Sequence, residues 1–285
     1  MPGIGDVAGA VTAVTGFEKG SGKTTFLNAA LPAARSVGPV AVFSIGVDGA
    51  LKARDAGGPV GEIRVEAGDV VMTTEAFARA SQARFEILEA VPGRTSLGPL
   101  LLGRAVRPGS VTLVGSEHVS TLARMIDRVR SEGWAASVLV DGAVNRITQV
   151  GALGAAQFVY AFRADPSNLR RVAARVRALA ALAALPVEAA APRGALEIAG
   201  PVTAELLKTL APEDHGLSVQ DFTMFFLDPP DLLALLGRRA CSLRRGFKLL
   251  GFVPALRGLT RADLVQAVGE AAAPFLLPNP CEAAP

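Results

Sequence analysis

The residues of this chain best suited to chemistry lie together in Gly16-Phe17-Glu18-Lys19-Gly20-Ser21-Gly22-Lys23-Thr24-Thr25. A glycine-rich turn that ends in a lysine and two hydroxyls reads as a phosphate-binding loop. The flanks strengthen the reading. Residues 10 to 15 form an apolar, β-branched run of strand type, and residues 25 to 34 favour helix. A turn between a strand and a helix aims successive N–H groups at one point, and the helix N-terminus adds partial positive charge there. Lys19, Gly20, Ser21, Gly22, Lys23, Thr24 and Thr25 are therefore the expected nucleotide-binding residues, with Lys23 on the β- and γ-phosphates and the Thr24 hydroxyl on Mg²⁺. One position departs from the usual G-x-x-x-x-G-K-[ST] spacing. Phe17 stands where the first glycine belongs, and Gly16 falls one place upstream.

Hydrolysis of a bound triphosphate needs an acid for the metal. Ala135-Ala136-Ser137-Val138-Leu139-Val140-Asp141 is an apolar run ending in aspartate, the form of a strand whose last residue helps hold Mg²⁺. In a parallel sheet the carboxyl ends of the strands share one edge, so Asp141 is expected beside Lys23 and Thr24 if its strand neighbours the first. Asp48, after the second apolar run, is a candidate for orienting the attacking water, and equally for a turn aspartate before Gly49. Asn145 and Arg146 are either γ-phosphate sensors or surface-loop residues.

These groups must be positioned by alternating strands and helices, the signature of βαβ units. Strands are expected near 11–15, 40–46, 99–104, 111–115, 137–140 and 158–162, and later near 196–199, 222–227, 247–253 and 274–277. The spacing of Val119, Leu122, Ile126 and Val129 predicts a helix over 117–130 that Gly133 ends. Further helices are expected over 75–90, closed by Pro92, and over 166–185. In the latter, Arg170, Arg171, Arg175 and Arg177 read as a solvated basic face. Ile63–Val65 and Val70–Thr73, around Ala67-Gly68-Asp69, read as a small inserted hairpin. Pro32 should kink or shorten the first helix. The expected fold class is an α/β P-loop NTPase, a mostly parallel sheet flanked by helices. Residues 1–185 would form the nucleotide-binding core. Residues 186–285 would form an α/β extension that completes the same sheet or makes a small subdomain.

Composition narrows the class. Half of the 285 residues are hydrophobic but only 5% are aromatic, as suits a buried parallel sheet built from Ala, Val and Leu. Mean hydropathy is positive, yet the longest charge-free run, 147–162, falls short of the ~20 residues that span a bilayer. The N-terminal residues carry Asp6 and no basic cluster, so no secretory leader is expected. Two cysteines, Cys241 and Cys281, and two histidines, His118 and His215, offer neither a metal-ligand spacing nor a Ser/His/Asp triad, and fit a reducing cytoplasm. A net charge of +3 does not argue for nucleic acid, and the Arg238-Arg239 and Arg244-Arg245 cluster lacks the interleaved aromatics of a base-stacking surface. The absence of an NKxD run leaves adenine nucleotide as the default.

Four segments in order carry a more specific likeness: Ser44-Ile45-Gly46-Val47-Asp48-Gly49, Gly68-Asp69-Val70-Val71-Met72-Thr73-Thr74, Thr95-Ser96-Leu97-Gly98 and Val140-Asp141-Gly142-Ala143-Val144-Asn145-Arg146. Over residues 10–165 the chain resembles the P-loop subunit of the lysine 5,6-aminomutase reactivases, a KamB-like family. The resemblance implies an ATP-driven chaperone that, with a MutS-like ATPase partner, releases damaged cobalamin from an adenosylcobalamin-dependent aminomutase. It carries Lys23, Thr24 and Asp141 over as phosphate and Mg²⁺ residues and Asp48 as a water-orienting or switch residue. The family's late strand ends in a Thr-Val-Asn-Pro type run. Its nearest counterpart here, Gly251-Phe252-Val253-Pro254, lacks the asparagine. Two other functions share the same scaffold: a small-molecule kinase, with Arg238–Arg245 as its lid, and an interaction protein that binds nucleotide without hydrolysing it.

Overall fold

The computed structural model describes residues 3–46, 62–142, 156–210 and 215–280. Asp48, Asn145, Arg146 and Cys281 lie outside the described residues.

The core is an eight-stranded sheet. Its strands are β1 (Val11–Gly16), β2 (Val40–Ser44), β4 (Val70–Thr74), β5 (Arg84–Thr95), β6 (Gly98–Arg107), β8 (Ser137–Asp141), β9 (Gln157–Ala164) and β13 (Lys248–Leu256), in the order β13-β9-β1-β8-β2-β4-β6-β5. The first six in that order run parallel, and the β5–β6 hairpin closes one edge antiparallel to β4. Parallel strands covered on both sides need apolar residues at successive positions, which is why Val40, Ala41, Val42 and Phe43 are all fully buried.

Alternation sorts the side chains onto two faces. Ala41, Phe43, Val138, Val140, Phe158, Tyr160 and Phe162 face one core. Leu122, Met125, Ile126 and Val129 of the helix Val119–Ser131 and Val172, Val176 and Leu179 of the helix Leu169–Ala183 cover it. Val14, Val40, Val42, Leu139, Val159 and Ala161 face the other, covered by Phe26, Leu27, Ala30 and Leu31 of helix α1 (Lys23–Ala34). Pro32 does not break α1, which runs to Ala34 and tightens into a 3-10 turn over Arg35–Val37.

Several expectations are corrected. Ile63–Val65 (β3) and Val70–Thr74 do not form a hairpin. β3 pairs antiparallel with β7 (Gly109–Val111), and β4 lies parallel to β2 in the main sheet. Asp69 turns the corner between them. It is buried, paired with Arg35 at 2.6 Å, and accepts from the N–H groups of Glu66 (2.8 Å) and Val40 (3.3 Å). The helix expected over 75–90 ends at Ala80, and the chain then enters β5. Residues 82 and 83 donate to Ser110 O, and a side chain at Gly109 would overlap their backbone, so this tertiary contact turns the chain where local propensity would continue it. Pro92 sits in β5, an edge strand, near a register shift between Val91 and Arg94. The strands expected near 222–227 and 274–277 are instead 3-10 turns over Phe222–Met224 and Ala273–Phe275.

Beyond residue 186 the chain does two things. β13 extends the main sheet beside β9, while β10 (Leu196–Ile198), β11 (Leu217–Val219) and β12 (Cys241–Leu243) form a separate three-stranded parallel sheet. Leu217, Val219 and Leu243 of that small sheet belong to the same core as Phe158 and Tyr160.

Candidate active site at the carboxyl edge of the sheet

The sheet order brings β8 directly beside β1, with Val14 opposite Asp141. Asp141 is two residues beyond Leu139, so it falls on the α1 face of the sheet. Lys23 opens α1 above that face. The two are close enough to couple. Burial pushes the Asp141 carboxyl up to about 6, and the Lys23 ammonium group partly opposes the rise. Asp141 Oδ1 is buried with no hydrogen-bond partner, as is Ser21 Oγ in the loop. Thr15 Oγ1, at the end of β1, is a third such atom and lies against Gly142. Asp141 Oδ1 and Ser21 Oγ are thus polar atoms at the carboxyl edge of the sheet with hydrogen-bonding capacity left for a ligand.

The loop geometry follows from its glycines. Gly16 closes β1 where a Cβ would overlap Ser21 Oγ, so the chain folds back on itself only because no side chain is present. Gly22 is the N-cap of α1 at φ 93°, a conformation that favours glycine, and it leaves the first-turn N–H groups without a side-chain cap. Phe26 N–H donates to Gly22 O at 3.0 Å, the first bond of the helix. Lys19, Gly20 and Thr25 are exposed, Ser21 is buried, and Gly22, Lys23 and Thr24 are half-buried. An anion arriving at this turn would meet free amides, the positive end of a twelve-residue helix and one ammonium group.

Sequence reasoning missed two arginines. Arg163, in β9, lies with its guanidinium against Gly20, with Nη2 3.0 Å from where a Cβ would stand. Arg175 is not part of a solvated face. Arg170, Arg171 and Arg177 are exposed, but Arg175 turns inward beneath the loop. Its guanidinium carbon sits 4.3 Å from the centre of the Phe17 ring, and Nη1 donates to Phe17 O at 3.3 Å. The spacing held a signal, because Arg175 is three residues from Val172 and four from Leu179, both on the buried side of the helix. Phe17 itself packs into an aromatic cluster, stacked on Phe162 at 5.3 Å and edge-on to Phe252 at 6.4 Å.

Other candidates fall elsewhere. Cys241 is a free thiol that burial pushes up to about 11, and His118 is the N-cap of the helix Val119–Ser131. Arg244 pairs with Glu197, and Arg239 Nη1 donates to His215 O at 3.4 Å. Among the described residues no group of three or more His, Cys, Asp or Glu could hold a metal ion, and no helix is long and apolar enough to cross a membrane. Comparison with protein-family models, with curated proteins and with solved structures gives no match.

Proposed function

We propose that this chain binds Mg-ATP in the turn between β1 and α1 and hydrolyses it, as a P-loop ATPase. The observation that carries the reading is the placement of Asp141, at the end of β8, beside β1 and the turn that leads into Lys23 at the start of α1, with buried polar atoms there left without partners. Residues separated by more than a hundred positions thus supply the ammonium group and the carboxylate that a magnesium triphosphate requires. The amides of residues 20 to 25 and the Lys23 ammonium group would hold the phosphates. The Thr24 hydroxyl and Asp141 would hold the metal. Mg²⁺ usually takes only one or two carboxylates and keeps waters and phosphate oxygens, so a site with a single described acid suits it. The ion, when bound, would neutralise charge on the transferring phosphoryl group.

The chain's own residues account for orientation. Gly22 in the left-handed region points the first turn of α1 at the loop's interior, and Gly16 allows the fold-back. Ionised Asp141 is the form that binds a cation, and with its carboxyl at about 6 it is mostly ionised at neutral pH. On the resemblance of residues 10–165, we extend the proposal to a reactivating chaperone subunit. It would act with a MutS-like partner on an adenosylcobalamin-dependent aminomutase in the cytoplasm. Asp48 would then serve as the water-orienting or switch residue.

Equilibrium binding of ATP with and without Mg²⁺ tests the first step. Saturable, magnesium-dependent binding is expected, and Lys23→Ala should abolish it while the protein stays folded. Absence of binding by the unmodified protein would reject the reading. Phosphate release measured alone and with the aminomutase and MutS-like protein tests the second. A rate indifferent to both partners would reject the chaperone role.

A further inference from the structure

Phe17 occupies the place of a glycine in the loop, and the structure supplies a compensating contact from the opposite side of the sheet. Arg175 reaches out of the helix Leu169–Ala183, lays its guanidinium on the Phe17 ring at 4.3 Å and donates to the Phe17 carbonyl at 3.3 Å. The Phe17 N–H is tied separately to Ala161 O at 3.0 Å. Both backbone groups of the first loop residue are therefore fixed by tertiary partners. Among the described residues no carboxylate forms an ion pair with Arg175, although the side chain is half-buried. A cation drawn out of water without an acid must be held by something else, and here a ring face and a carbonyl hold it.

We infer that Arg175 is a positioning residue for the phosphate loop: it clamps Phe17 so that residues 18 to 22 leave β1 at the angle a glycine would otherwise have set. The inference rests on the proposed phosphate site for its functional consequence, but the clamp itself is a property of the ligand-free protein. Arg175 lies beneath the loop on the aromatic face of the sheet, while Lys23, Arg163 and Asp141 lie on the α1 face. It orders the backbone from behind and touches no phosphate.

Arg175→Met keeps the apolar stem and removes the guanidinium. Hydrogen exchange in the nucleotide-free protein should show the Phe17 amide at the head of the loop, which donates to Ala161 O, exchanging about tenfold faster, with exchange in the central strands unchanged, as expected for loss of one cation–π contact and one charged hydrogen bond. Affinity for Mg-ATP should fall about tenfold for the same reason. Phe17→Leu keeps bulk but removes the ring face. In that background Arg175→Met should cost less affinity than it does alone, since half of the contact is already gone. Unchanged exchange of the Phe17 amide in Arg175→Met, or losses that simply add in the double variant, would overturn the clamp. If the unmodified protein binds no ATP, the phosphate reading fails while the exchange measurement still decides for or against the clamp.

Discussion

Replacing Asp141 with asparagine should stabilise the ligand-free protein and, on the proposed function, weaken binding of Mg-ATP. Burial lifts the carboxyl from 3.8 to about 6 against the pull of Lys23. Between those values the native state binds more protons than the unfolded chain, so the free energy of unfolding falls as pH rises through that window and is level above it. At about 1.4 kcal/mol per tenfold, the native state above pH 7 carries a penalty of about 3 kcal/mol for keeping this carboxylate ionised. Asn has the same shape and no charge, so most of the penalty should vanish. The new amide N–H groups also need partners, which leaves a gain on the order of 2 kcal/mol. In a chain of this size that corresponds to a rise in melting temperature of about 4 °C at pH 8. Thermal melts of both proteins at pH 8, 6 and 4.5, without magnesium or nucleotide, test this. The gap should shrink steadily as pH falls, because wild-type Asp141 becomes protonated and stops paying the desolvation penalty. A variant less stable than wild type at pH 8, or a gap independent of pH, would refute the reasoning. Stability gained by removing this charge is the trade-off expected if Asp141 belongs to a binding site.

Two further outcomes check the architecture around the site. Gly16→Ala introduces a Cβ that overlaps Ser21 Oγ and should lose about 1–3 kcal/mol in urea titration, with part of that recovered by adding Ser21→Ala. Full stability in the single variant would mean that the fold-back does not depend on Gly16. Asp69→Ala removes the partner of Arg35 and the acceptor of the Glu66 and Val40 N–H groups at the corner between β3 and β4. It should cost about 3–5 kcal/mol and speed hydrogen exchange in β2, and a loss below 1 kcal/mol would show the corner to be held by packing alone.

The sequence by itself determined what depends on near neighbours. The loop from Gly16 to Thr25 requires a strand before it and a helix after it, and both are present. The helix Val119–Ser131 announced itself through the 3.6-residue spacing of Leu122, Ile126 and Val129, which no other element could satisfy. Tertiary structure decided what depends on distant partners. β4 joins β2 rather than β3, and at that corner Asp69 is held by Arg35, thirty-four positions away. The end of the helix at Ala80 depended on Ser110, and no local signal records such a contact. Phe17 read as a flaw in the loop because its compensation, Arg175, is supplied 158 residues later. Asp141 could be named from its strand, but only the order of strands set it beside Lys23, because side-by-side packing in a sheet is chosen by the whole core rather than by any single segment.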